Sequence, residues 1–124
     1  MEEITLYKIC SMCGKTWYRP ADLVSDQLLR LNGYQAAVPD SEKGLLLFTH
    51  EVVGCYSTLG VPALDFRFMH HGLTYPECHF ALLDCEGHCL DLSDLEVCRV
   101  QCCMAWVRDV IQYIRRHELP LRAG

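Results

Sequence analysis

No stretch of the chain approaches the roughly 20 consecutive apolar residues that a membrane-spanning helix needs. The first residues, MEEITLYKICSMCG, open on two acids and lack the apolar core of a secretory leader. Without such a leader the expected compartment is the reducing cytoplasm. There thiols more often hold metals or do chemistry than form lasting disulfides. Catalytic patterns are missing as well: GxGxxG, the P-loop, HExxH and GxSxG do not occur. No repeat period and no low-complexity tract is visible. Basic charge is scarce, and a formal net charge of -5 argues against a nucleic-acid binder held by phosphate contacts.

What the chain has in excess is cysteine, nine in 124 residues, with five of them between Cys85 and Cys103. Apolar residues make up 51% of the sequence, enough for a buried core, and the length suits a single domain over residues 1–124. The charge is uneven. Five arginines follow Cys98, whereas Asp84, Glu86, Asp91, Asp94 and Glu96 crowd the segment before it. Internal pairing or ordinary solvation accounts for this; an acidic partner is the other reading.

The hydropathy pattern predicts a short strand over Ile4 to Ile9 running into Cys10-Ser-Met-Cys13-Gly14, whose glycine permits the tight return of a metal knuckle. Pro20-Ala-Asp22 opens a helix with Leu23, Leu28, Leu29 and Leu31 on its inner face and a stop at Asn32-Gly33. Strands are expected over Tyr34 to Val38 and Gly44 to His50, joined as a hairpin by the turn Pro39 to Gly44. The apolar run Leu45 to Phe48 reads as a central strand covered on both sides. Val61 to Met69 fits either a strand or a short helix begun at Pro62, and Gly72 to Asp91 reads as loop. A final amphipathic helix is predicted over Val97 to His117, with Cys103, Val107, Val110, Ile111 and Ile114 on one stripe. Asp91, Ser93 or Asp94 would cap its start, Arg115, Arg116 and His117 would complement its dipole, and Leu119-Pro120 would end it. The expected class is therefore α+β: a small, mostly antiparallel sheet with a zinc knuckle and a covering C-terminal helix.

Two groups of cysteines carry the chemistry. Cys10 and Cys13 form one half of a zinc knuckle, and His50 and Cys55 are the best candidates for the other half. His50 ends the central strand, and a hairpin would return that end to the first strand. Three thiolates and one imidazole complete a tetrahedral site with no open position, which is structural zinc. A redox dithiol is the competing reading, but thioredoxin-like pairs sit at a helix N-terminus, and the residues after Gly14 do not start one.

The second group pairs Cys85-x3-Cys89 with Cys98-x3-Cys102. If Cys98 and Cys102 are helical they face the same side. Four readings remain: a second zinc on all four thiolates, an iron–sulfur cluster, two disulfides joining Cys85 to Cys102 and Cys89 to Cys98, or reduced cysteines packed in the core. Cys103 reads as a buried small hydrophobe. Cys78 beside His79 offers an alternative ligand pair, and His88 could tune a metal. For catalysis, the doublets His70-His71 and Cys78-His79, with Asp65 or Glu77 as orienting acids, are the only hints. Adjacent residues on a strand face opposite ways, and an enzyme is not the favoured reading.

Cys10-Ser-Met-Cys-Gly14, Gly33-Tyr34-Gln35, Leu45-Leu-Leu-Phe-Thr-His50 and the Cys89 to Cys103 tail together resemble a group of small bacterial cysteine-rich proteins. The likeness covers most of the chain. It implies that both cysteine groups belong to one domain, and it implies no activity. The expectation is a zinc-stabilised cytoplasmic binding or regulatory module that meets a protein partner or itself. The alternative is a redox or sensor protein that uses the C-terminal thiols.

Overall fold

A computed structural model describes residues 6–37, 40, 42–79 and 82–117. It is an α+β arrangement of two small antiparallel sheets and a C-terminal helix. Strands β1 (Lys8–Ile9) and β2 (Thr16–Trp17) form a two-stranded ribbon. Helix α1 (Pro20–Ser25) follows, then β3 (Leu29–Gln35), β4 (Leu45–His50) and β5 (Thr58–Pro62) in a meander with β4 at its centre. Residues Ala63–Met69 form a 3-10 helix, His88–Leu90 a 3-10 turn, and α2 (Ala105–His117) closes the chain.

The hairpin between β3 and β4 and the central place of β4 are as expected, with Gln35 opposite Leu45 and Leu29 opposite His50. On β4, Leu46, Phe48 and His50 point into the core, and Leu45, Leu47 and Thr49 are half-buried on the other face. Phe48 and Leu46 meet Leu23, Tyr34, Val61, Phe66 and the α2 residues Trp106, Val107, Val110, Ile111 and Ile114 in one cluster. The apolar stripe on α2 thus covers the sheet, as its spacing requires.

Two expected helices are shorter than predicted. Helix α1 ends at Ser25 rather than running to Leu31. Asp26 stops it: its carboxylate accepts the backbone N–H of Leu28 at 2.9 Å and the indole N–H of Trp17 at 3.0 Å. Beyond this turn, Leu29 and Leu31 alternate as buried strand residues. A bulge between Leu31 and Gly33 then resets the alternation, so that Gly33 and Tyr34 are both buried. That irregular spacing is what imitates a helical face.

Helix α2 begins at Ala105, not Val97. The segment before it is irregular, so Cys98 and Cys102 are not helical neighbours and Asp91, Ser93 and Asp94 do not cap α2. Asp94 instead accepts from Arg108, through its backbone carbonyl, inside the α2 interface. The loop around it is pinned to the sheet. Leu92 accepts the N–H of Tyr34 at 2.9 Å, and any Cβ at Gly33 would meet that same carbonyl oxygen at 3.1 Å. Ile4, part of the first expected strand, and Leu119-Pro120 lie outside the described residues.

Candidate metal centre

The turn from β1 to β2 carries the first two thiols. Cys10 donates its backbone N–H to Lys15 at 2.8 Å, and Gly14 donates to the Cys10 carbonyl at 2.9 Å. Gly14 closes the knuckle at φ +80°, a conformation open to glycine at little cost. On the other side, His50 ends β4. The chain turns through Val52 to Cys55 and returns at Ser57, whose carbonyl accepts the His50 N–H at 2.9 Å. Gly54 at φ +86° and Tyr56 at φ +49° make this return tight.

These two turns bring Cys10, Cys13, His50 and Cys55 together. One donor atom from each lies within 4.8 Å of all the others, so the four form a group that could hold a metal ion. Cys10 Sγ is 3.5 Å from Cys55 Sγ, and His50 Nδ1 is 3.4 Å from Cys13 Sγ and 3.6 Å from Cys55 Sγ. Cys10 and His50 are buried, Cys55 is half-buried and Cys13 is at the surface. The ring of Trp17 meets His50 edge-on at 5.4 Å.

The donors are tuned by their neighbours. Burial pushes the Cys10 thiol up. Hydrogen bonds from the Ser57 hydroxyl, the backbone N–H groups of Cys13 and Met12, and His50 outweigh it and bring the pKa down to about 5. At Cys13 a backbone N–H at Lys15 favours the thiolate, yet local desolvation and the nearby Cys10 and Cys55 sulfurs hold that thiol above its ordinary value. One thiolate is thus pre-formed, and its charge disfavours ionising a second one without a cation between them. His50 Nδ1 faces the sulfurs while its buried Nε2 has no hydrogen-bond partner. A neutral imidazole that offers its Nδ1 lone pair to a metal keeps its proton on Nε2.

Ser57 is the residue that the sequence did not reveal. Its Oγ lies 3.0 Å from Cys10 Sγ and 3.2 Å from Cys55 Sγ, bridging two candidate ligands. Its position two residues after Cys55 was the only sign, and a serine there is ordinary in any turn.

The second group is gathered differently. Cys85, Cys89, Cys98 and Cys102 all line one small cavity with His79, His88 and Arg108. Their sulfurs are more widely spaced than in the first group; among the described residues only the Cys10 group brings three or more such donors within 4.8 Å. Burial and the neighbouring Cys102 and Cys89 push the Cys98 thiol up, against a backbone N–H at Val100. Of the readings for this group, the disulfides joining Cys85 to Cys102 and Cys89 to Cys98 do not occur, since all four thiols are free. The disulfide in the structure joins Cys78 to Cys103 instead, a pairing that crosses 25 positions. Cys103 is buried, as expected, but it lies before α2 rather than on its stripe and is bonded rather than a free apolar filler.

The catalytic hints are not assembled. Asp65 accepts from the Tyr7 hydroxyl at 2.7 Å, which with burial pushes that phenol far up. His79 is oriented by Asp84 at 2.9 Å, not by Glu77, and His70 faces Asp109 at 4.0 Å. No helix of the described residues is long and apolar enough to cross a membrane. Compared with protein-family models, curated proteins and solved structures, the chain finds no match.

Proposed function

We propose that this is a small zinc protein in which Cys10, Cys13, His50 and Cys55 hold one structural zinc ion. The convergence of three thiols and one imidazole from two distant turns carries the reading. Three sulfurs and a nitrogen suit zinc, and four protein ligands leave no position for water or substrate, the pattern of structural rather than catalytic sites. Ser57 supplies the outer hydrogen bonds that hold thiolates in place. The ion would tie the β1–β2 ribbon to the end of β4, adding to the ring contact of Trp17 with His50.

The zinc-bound domain acts as a binding or regulatory module, with a protein partner or a second copy of itself as its target. Chelation followed by hydrogen exchange tests the structural role. Removing zinc is expected to expose the amides of residues 8–17 and 50–57 while the β3–β4 pairing stays protected. Unchanged protection in the ribbon would contradict it.

A further inference from the structure

The second cysteine group surrounds a space of about 20 Å³, room for one water-sized occupant and too little for a multi-iron cluster. Its walls are chemically unusual. Arg108 is 0% exposed and its Nε is buried without a partner. The rest of the guanidinium is directed by the Asp94 and Glu96 carbonyls through Nη1, while Nη2 lies 3.7 Å from Cys89 Sγ. The nearest carboxylate, Asp94, is 4.0 Å away and already engaged with His88 at 2.8 Å. A buried cation with so little opposing charge needs an anion beside it.

Thiolates on a metal supply that charge. We propose that Cys85, Cys89, Cys98 and Cys102 close on a single zinc-class ion in this cavity, with Arg108 as the buried counter-charge. Each thiol releases its proton to solvent as its sulfur binds. Four thiolates on a divalent ion leave a net charge of two minus, which the guanidinium partly offsets. The amide of His79 already donates to Cys102 Sγ at 3.2 Å, the kind of bond that steadies a metal-bound sulfur. Arg108 also stacks over Tyr34 at 5.2 Å, which fixes the guanidinium on the α2 side of the cavity. Binding would draw Cys85 and Cys89 toward the ion by side-chain rotation, since no three of these sulfurs lie within 4.8 Å of one another.

This site goes beyond the zinc of the first group and is tested separately from it. The full chain is loaded with cadmium-113 and examined by NMR, which distinguishes a four-sulfur site from a three-sulfur, one-nitrogen site by chemical shift. Two resonances are expected, one of each kind, together with two metal ions per chain by elemental analysis. Cys98→Ser is expected to lose the four-sulfur resonance and keep the other. A wild-type spectrum with only the three-sulfur, one-nitrogen resonance overturns the second site, whatever the variant does. So does iron with sulfide in the purified protein, or a pair of disulfides among these four cysteines.

Discussion

His50 Nδ1 stands 3.4 Å from Cys13 Sγ although the two residues lie 37 positions apart. The contact depends on two glycine-assisted turns and on the register that ends β4 at His50. It links the N-terminal ribbon to the sheet, and what disturbs either turn disturbs the donor set.

Ser57→Ala removes the hydroxyl that bridges Cys10 and Cys55. The four ligands remain, so zinc should still bind, with affinity lower by about 10–100-fold. Competition with a chromophoric chelator measures this. An unchanged affinity would show that the hydroxyl has no hold on the thiolates.

Gly14→Ala isolates the backbone term at the knuckle. No neighbouring atom lies within 4 Å of the added Cβ, so only the φ of +80° opposes it. The expected loss is about 1–2 kcal/mol, read from denaturant unfolding of the zinc-loaded protein. A neutral effect would mean that the turn relaxes without the left-handed conformation.

In the metal-free protein the Cys10 thiol has its pKa lowered from 9.0 to about 5. A folded value below the unfolded one adds stability that is complete above about pH 9. That stability fades as the pH falls and is gone once the pH has passed through about 5. Denaturant midpoints of the metal-free chain should therefore fall between pH 9 and 5, and fall less steeply in Ser57→Ala. A midpoint that rises toward acid would contradict the assignment of a pre-formed thiolate.

Cys103→Ala breaks the disulfide to Cys78 without touching the first metal group. Loss of a cross-link over a loop of this size costs about 2–4 kcal/mol, while zinc on Cys10, Cys13, His50 and Cys55 is retained. Thermal unfolding with elemental analysis of the same sample reads both. Loss of that zinc would show the two halves of the molecule to be coupled.

The grouping of Cys10, Cys13, His50 and Cys55 was legible because each of these candidate ligands sits beside a turn that its own sequence announces. Cys10-x2-Cys13-Gly14 marks a knuckle, and the apolar run Leu45 to Phe48 fixes β4 and thereby the end where His50 stands. Ser57 was not legible, since its role exists only once two distant turns meet. The early end of α1 was hidden because Leu28, Leu29 and Leu31 suit a helix and a bulged strand alike, and the deciding contact is Trp17 on Asp26. For α2, the stripe from Val107 to Ile114 was correct, whereas Cys103 lies before the helix. Its start was misplaced because the residues before Ala105 serve the cysteine cavity and the Cys78 bridge rather than the helix. Nothing in the sequence pairs Cys78 with Cys103, whose proximity comes from how the loop after Tyr75 returns to α2.

The most direct test of the metal centre is the zinc content of purified wild-type protein against Cys13→Ser, measured on the same native mass spectrum as the folded chain. The account predicts one fewer zinc ion per chain in the variant. An unchanged zinc content, or wild-type protein that folds with Cys10, Cys13 and Cys55 all open to alkylation, would contradict it.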